Sequence, residues 1–138
     1  MNEMVSKAEA VARMAHEGQL RRNGDPYITH PARMASTFVN ELHATVAWLH
    51  DVIEDTSVTA EDLARDFPPE VVSSVVALTR RTEDEESYLD FILRAGRDFV
   101  AKKVKLADLN DNLRDLKPGS QRDKYELARW ILENMELQ

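Results

Sequence analysis

The sequence predicts an all-α fold, a compact bundle of about seven or eight helices. Apolar residues recur at helical spacing along most of the chain, as expected for helices that each bury one face. The four glycines and five prolines fall mainly between these apolar stripes, where they would end or separate helices. No segment gives a convincing strand pattern. The 138 residues are enough for one domain with a single core.

The first half of the chain predicts three helices and one long loop. The apolar face of the first helix comprises Val5, Ala8, Val11, Ala12 and Ala15. The segment GQLRRNGDPYITHP (18–31) contains two glycines and two prolines and should form a loop. A second helix should begin near Pro31 and bury Met34, Ala35, Phe38 and Val39. A third helix, from about Ala44 to Ile53, is apolar on most sides, which is typical of a central helix.

The second half predicts the remaining helices. Thr59 and Asp62 have the spacing of a capping box. Pro68 and Pro69 should open the next helix, whose inward face is Val72, Val75, Val76 and Thr79. The charged segment RRTEDEE (80–86) should be an exposed connection. A short helix that Gly96 ends, a long helix over roughly 98–116 and a last helix from Ser120 complete the chain.

Composition and charge exclude several classes of protein. The net charge of −7 argues against general nucleic-acid binding, which normally needs a basic surface. No apolar run is long enough to span a membrane, and the N-terminus has no apolar signal core, so we expect a cytoplasmic protein. The absence of cysteine rules out a disulfide scaffold and a thiolate metal site. Homo-oligomer formation is left open.

The stretch WLHDVIEDT (48–56) places an imidazole and three carboxylates at the end of the most apolar helix. Helical spacing would put His50 over Glu54 and Asp51 over Asp55. Carboxylates beside a buried helix need partners, and a divalent cation is one such partner. The alternative is ordinary surface polarity at a helix end.

Two further segments offer similar ligands. In VKLADLNDNLRDL (104–116), a helical face contains Asp108, Asp111, Asn112 and Asp115. A solvated acidic stripe is the alternative, favoured least for Asp108 because it follows residues expected to be buried. His30 precedes Pro31 and would complete a set of two histidines and two aspartates with His50, Asp51 and Asp108. Such a set suits Mn²⁺, Fe²⁺ or Zn²⁺.

The other histidines and the basic residues have less specific expectations. His16, at the end of the first helix, and His43, expected to be exposed, should be structural. Arg33 could line the same pocket, and Lys105 and Arg114 should either line it or cover the outside. Arg122 and Lys124 could reach in from the last helix.

Three motifs, AHEGQLRRNGDPYITHP (15–31), WLHDVIEDT (48–56) and VKLADLNDNLRDL (104–116), occur in this order. Together they resemble the HD-type hydrolase domain of the RelA/SpoT alarmone enzymes over residues 8–117. In size the chain is most similar to the single-domain small alarmone hydrolases (Mesh1-like proteins). The resemblance implies one HD-type metal-dependent phosphohydrolase domain over residues 1–138, with no room for the synthetase and regulatory domains of the long enzymes.

The resemblance also implies an activity and roles for individual residues. It implies a manganese-dependent enzyme, with another divalent metal as the alternative, that removes pyrophosphate from the 3′ position of ppGpp or pppGpp. The metal ligands would be His30, His50, Asp51 and Asp108. Glu54 and Asp55 would organise and activate the attacking water. The substrate-binding residues would be Arg21 on the base, Arg22 on phosphate or ribose, and Asn112 facing the nucleotide.

The sequence departs from the family pattern after Asp108. The family usually has a basic, an apolar and an aromatic or histidine residue where this chain has Leu109, Asn110 and Asp111. A carboxylate at position 111 would be unfavourable near phosphates unless it pointed away or bound metal. Two alternatives therefore stay open: a phosphohydrolase for another nucleotide such as NADPH, and a ligand-binding module without turnover. The presence of every expected ligand counts against the second.

Overall fold

The chain forms an α-helical bundle in a computed structural model that describes residues 2–136. Within that range there are nine α-helices, one of them a four-residue turn, and one 3-10 turn at Thr82–Asp84. The helices are α1 (Glu3–Ala15), α2 (Thr29–Ser36), α3 (Glu41–Leu49), α4 (Val52–Asp55), α5 (Ala60–Asp66), α6 (Pro69–Ala77), α7 (Tyr88–Gly96), α8 (Phe99–Leu113) and α9 (Ser120–Asn134). Between residues 2 and 136 no strand forms, and the single β-bridge joins Leu20 to Pro26. The all-α prediction is confirmed.

Helix α3 is the centre of the bundle. It packs against α1, α2, α6 and α8, and its residues from His43 to Leu49 are all buried. This explains why the sequence of α3 is apolar on most sides, since a helix surrounded by others has no solvated face. None of the helices in the described range is long and apolar enough to cross a bilayer.

Helix α8 connects two hydrophobic clusters. Val104 belongs to the main core around α3. Leu109, one and a half turns later, packs in a second cluster with Phe91 of α7 and Leu132 of α9. A helix packed on two sides is held firmly along its length, so the polar side chains between these contacts have fixed positions.

The predicted third helix is divided in two. We expected one helix from about Ala44 to Ile53, but α3 ends at Leu49, and α4 starts only at Val52. The His50 ring donates a hydrogen bond to the Ala47 carbonyl at 2.9 Å, which is the acceptor that the Asp51 N–H would use in a continuing helix. His50 and Asp51 occupy a turn, and the prediction of a continuous helix was wrong.

The region between α2 and α3 also differs from the prediction. Helix α2 begins at Thr29 and ends at Ser36, so Val39 lies beyond it and is fully exposed rather than buried. His43, expected to be exposed, is buried. Its ring stacks on Phe38 at a centroid distance of 5.5 Å and meets the edge of Phe99 at 6.0 Å. The Asn40 cap of α3 places His43 in the first turn, facing these aromatic side chains.

Other helix boundaries agree more closely with the prediction from the sequence. Thr59 and Asp62 make both hydrogen bonds of the predicted capping box, and α6 opens at Pro69. Thr79 lies just beyond α6 rather than within it, and α8 ends at Leu113. Gly119 precedes the last helix with a φ of 155°.

The burial of His43 predicts a pH dependence of stability. Burial, aided by the nearby Lys103 charge, lowers the pKa of His43 below its ordinary value. The unfolded chain therefore binds a proton at this residue more readily than the folded protein does. Stability is fully retained above the ordinary histidine pKa of about 6.5 and falls as the pH drops below it.

Replacing His43 by leucine should remove the part of this pH dependence that comes from protonating His43. We expect the free energy of unfolding, measured by urea titration in EDTA, to fall less between pH 7.5 and 5.5 for His43→Leu than for the unmodified protein. Equal pH dependence in the two proteins would contradict the proposed cost of protonating His43.

Candidate metal centre

Two histidines and two aspartates from three parts of the chain lie together in one largely buried cluster. His30 lies in the first turn of α2, His50 and Asp51 form the turn after α3, and Asp108 lies in the middle of α8. His30 Nε2 is 2.8 Å from Asp108 Oδ1. His50 Nε2 is 3.0 Å from Asp51 Oδ2 and 3.6 Å from Asp108 Oδ1. The structure thus brings together the four residues that the sequence singled out as ligands.

The state of the His50 ring fits a metal ligand. Its Nδ1 donates to the Ala47 carbonyl, so in the neutral ring the lone pair is on Nε2. That Nε2 is buried and makes no hydrogen bond to any part of residues 2–136. A buried imidazole nitrogen facing two carboxylates has the donor chemistry that Mn²⁺, Fe²⁺ and Zn²⁺ prefer. One ligand atom from each of His30, His50 and Asp51 lies within 4.8 Å of the others.

The electrostatics of the cluster show how strongly it attracts positive charge. Burial disfavours the imidazolium forms, yet the aspartates outweigh it: the pKa of His30 is raised by Asp108 and Asp111, and that of His50 is raised well above its usual value by Asp51 and Asp108. Burial likewise opposes the charged form of Asp51, but His50 lowers its pKa to about 2. A divalent cation would supply the positive charge that protons otherwise provide.

Tyr27, which the sequence did not single out, and Lys105, whose side was left open, complete the inner surroundings of the site. The Tyr27 hydroxyl donates a hydrogen bond to Asp51, and burial together with the Asp51 charge raises the pKa of Tyr27 above its ordinary value. Lys105 Nζ lies 2.7 Å from Asp108 Oδ2, with a largely buried side chain. Lys105 therefore faces the site, whereas Arg114 is on the exposed surface. Tyr27 could have been suspected from its position three residues before His30.

Glu54 and Asp55 lie at the solvent edge of the cluster. Both are on α4 and exposed, and each has a carboxylate oxygen within 4.8 Å of Asp51 and of the other. Glu54 Oε1 accepts the Arg80 backbone N–H at 2.8 Å, which fixes its position. Partial burial, and then the charge of Asp51, raise the pKa of both carboxyls.

A second polar group lies beside the metal ligands. Arg21 is buried and donates to Asp115 at 3.1 Å and to Asn112 Oδ1 at 3.3 Å. Arg22 is exposed and donates to Asp115 at 2.6 Å and to the Asn112 carbonyl at 2.7 Å. Asn112 Nδ2 in turn donates to Asp108 Oδ1 at 3.0 Å. The predicted substrate-binding residues are thus in contact with one another and with a predicted metal ligand.

Asp111 is neither solvated nor directed at the centre of the cluster. Its carboxylate lies behind His30, 2.6 Å from Nδ1, and pairs with Arg33 through two hydrogen bonds of 2.7 and 2.9 Å. Asp115, which lies beyond the end of α8, is exposed but pairs with Arg21 and Arg22. The basic residues of α9 lie elsewhere: Arg122 donates to the Leu113 and Leu116 carbonyls, and Lys124 lies over the Tyr88 ring at 4.1 Å.

The chain is similar to several known proteins. The chain is 41% identical over 137 residues to guanosine-3′,5′-bis(diphosphate) 3′-pyrophosphohydrolase of Haemophilus influenzae, covering 89% of this chain and 20% of that protein. It is 36% identical over 142 residues to the bifunctional (p)ppGpp synthase/hydrolase SpoT of Escherichia coli, and the match covers 94% of this chain and 20% of SpoT. The chain therefore spans about a fifth of the length of these relatives.

A solved structure has a similar fold. It is that of a metazoan ortholog of SpoT that hydrolyzes ppGpp, and it superposes with a TM-score of 0.78 and 26% sequence identity. The match covers 96% of this chain and 84% of that one. The sequence profile of the HD domain matches residues 8–133. The chain therefore belongs to the HD domain family.

Proposed function

We propose that this protein is a metal-dependent phosphohydrolase that removes pyrophosphate from the 3′ position of guanosine tetraphosphate or pentaphosphate. The observation that supports this most directly is the convergence of two imidazole nitrogens and two aspartates in one largely buried cluster. The substrate is proposed from the names of two relatives. One is a 3′-pyrophosphohydrolase of guanosine bis(diphosphate), and the other is a bifunctional (p)ppGpp synthase/hydrolase.

Under this proposal His30, His50, Asp51 and Asp108 bind one divalent cation, with Mn²⁺ as the first choice. The set contains nitrogen and oxygen donors and no thiolate, which suits Mn²⁺. When bound, such an ion would lower the pKa of water toward neutrality and shield the negative charge of the phosphates. Lys105, paired with Asp108, and Tyr27, bonded to Asp51, hold the two carboxylates in place.

Glu54 is proposed as the proton acceptor. In the reaction a water oxygen bonds to the phosphorus at the 3′ oxygen, the P–O3′ bond breaks, and the 3′ oxygen takes up a proton. One proton must leave the attacking water, and a carboxylate can accept it. Glu54 lies at the edge of the ligand cluster, and one of its oxygens is held by the Arg80 N–H. Asp55, its neighbour, would help to orient the water.

Arg21, Arg22 and Asn112 are proposed to bind the nucleotide. Guanidinium groups form paired hydrogen bonds with phosphates and stack on flat bases. Both arginines lie on the side of the cluster where Asn112 contacts Asp108. Their present partner, Asp115, balances their charge, so a bound phosphate would compete with this carboxylate for them.

The activity can be tested with purified protein and Mn²⁺. We expect ppGpp to give GDP and intact pyrophosphate in equal amounts, identified by ion-exchange chromatography and mass spectrometry, with no reaction in EDTA. NADPH and a panel of nucleotides should be incubated in parallel. Turnover of another phosphate ester without cleavage of ppGpp would contradict the substrate, and cleavage unaffected by EDTA would contradict the metal dependence.

The role of Glu54 predicts a specific kinetic effect. Glu54→Gln should retain Mn²⁺ and substrate binding, because glutamine keeps the shape and the acceptor for the Arg80 N–H. It should lower kcat by roughly 10²–10⁴-fold, the usual contribution of a general base. Glu133→Gln, an exposed change on α9, is the matched control and should leave kcat unchanged. A normal kcat in Glu54→Gln would exclude Glu54 as the proton acceptor.

A further inference from the structure

Asp111 and Arg33 form a support for His30 that the proposed metal site does not by itself require. We propose that Asp111, held by Arg33, is a positioning residue that fixes the proton of His30 on Nδ1 and so directs the Nε2 lone pair toward the cation. This inference rests on the proposed metal site and deepens it. It concerns a residue that would not touch the metal or the substrate.

The first observation is the geometry around the Asp111 carboxylate. Asp111 Oδ2 lies 2.6 Å from His30 Nδ1 and 2.9 Å from Arg33 Nη2, and Oδ1 lies 2.7 Å from Arg33 Nε. The two-point pairing with a guanidinium fixes the plane of the carboxylate. Because the Asp111 side chain is only 9% exposed, water competes little for these bonds. The His30 ring is therefore held from behind by an oriented acceptor.

The second observation is the orientation of the opposite nitrogen. His30 Nε2 points to Asp108 Oδ1 at 2.8 Å, on the side where His50 and Asp51 also lie. A neutral imidazole has one protonated and one unprotonated nitrogen. In the absence of a cation, carboxylates face both nitrogens of the His30 ring. When a cation occupies Nε2, the one proton of the neutral ring must be on Nδ1, where Asp111 is placed to accept its hydrogen bond.

Comparison with His50 shows why this support is specific to one ligand. The Nδ1 of His50 donates to a main-chain carbonyl, that of Ala47, so its tautomer is fixed by the fold. The tautomer of His30 depends instead on the charged side chain of Asp111. A carboxylate behind a ligating histidine fixes the ring more strongly and makes it a more basic ligand than a neutral acceptor does.

The pair also accounts for the unusual residue at position 111. In the sequence resemblance an aromatic or histidine residue is expected here, and a carboxylate near phosphates would be unfavourable. The structure shows that the Asp111 charge is compensated by Arg33 and lies 4.0 Å from Arg21 Nη2 as well. Asp111 therefore adds little net negative charge to the side on which a phosphate would bind.

The decisive experiment measures Mn²⁺ affinity, with free Mn²⁺ quantified by electron paramagnetic resonance. Asp111→Ala should weaken binding by roughly 10–100-fold, the usual effect of removing the partner of a ligating histidine. Asp111→Asn should reduce the Mn²⁺ affinity less, because its amide oxygen can still accept a hydrogen bond from Nδ1. Arg33→Met should reduce the Mn²⁺ affinity least, since Asp111 remains but is less firmly oriented. Asp66→Ala, which removes an exposed carboxylate of α5, is the control and should bind as the unmodified protein does.

A second readout separates positioning from a general loss of structure. In the Zn²⁺-loaded protein, ¹⁵N nuclear magnetic resonance should show His30 protonated at Nδ1, and this signal should be lost or shifted in Asp111→Ala while that of His50 stays. Circular dichroism checks folding, and if Asp111→Ala does not fold, Asp111→Leu, which has a similar size and also removes the acceptor, decides. Unchanged Mn²⁺ affinity or an unchanged His30 tautomer in the folded variant would overturn the proposal.

The outcome does not depend on the substrate. If Mn²⁺ binding requires Asp111 but ppGpp is not cleaved, the positioning role stands and the proposed activity fails. If ppGpp is cleaved and Asp111→Ala binds Mn²⁺ normally, the activity stands and the positioning role fails.

Discussion

The burial of the Asp108 carboxylate is the constraint on which the rest of the site depends. Only 6% of this residue is exposed, and a buried carboxylate is costly unless it is paired and hydrogen-bonded. Three nitrogen atoms lie within hydrogen-bonding distance of the Asp108 carboxylate: His30 Nε2, Lys105 Nζ and Asn112 Nδ2. Further hydrogen bonds extend outward from two of these residues. His30 contacts Asp111, which pairs with Arg33, and Asn112 contacts the two arginines of the loop at 18–31. Helix α8 can support such a residue because it is packed into hydrophobic clusters above and below it.

Much of this could be predicted from the sequence because the relevant patterns are local. Helical periodicity gave the number of long helices, and the capping box at Thr59 and the prolines before α6 marked their starts. The cluster of His30, His50, Asp51 and Asp108 was also foreseen, since polar side chains next to buried positions must find partners inside the protein. The residues themselves suggested this set of four ligands, and the resemblance of three motifs taken together supported it more strongly than any single motif would have done.

The remaining features depend on contacts between distant parts of the chain. At the break after α3 the His50 ring hydrogen-bonds to the Ala47 carbonyl, a side-chain contact that helix propensity does not reveal. His43 is buried because Phe38 and Phe99, far apart in sequence, enclose it. The contacts of Asp111 were undecided for the same reason: helical phase shows which side of α8 it occupies, but only the packing of α2 shows that His30 and Arg33 lie there.

The central claim is that His30, His50, Asp51 and Asp108 bind one cation together. The most direct test is a crystal structure of the protein grown with Mn²⁺, with anomalous diffraction measured at the manganese edge. We expect one strong anomalous peak, coordinated by the Nε2 atoms of both histidines and by carboxylate oxygens of both aspartates. A peak bound instead by Asp51, Glu54 and Asp55, the other acidic group that could hold an ion, or no peak at all, would contradict the claim.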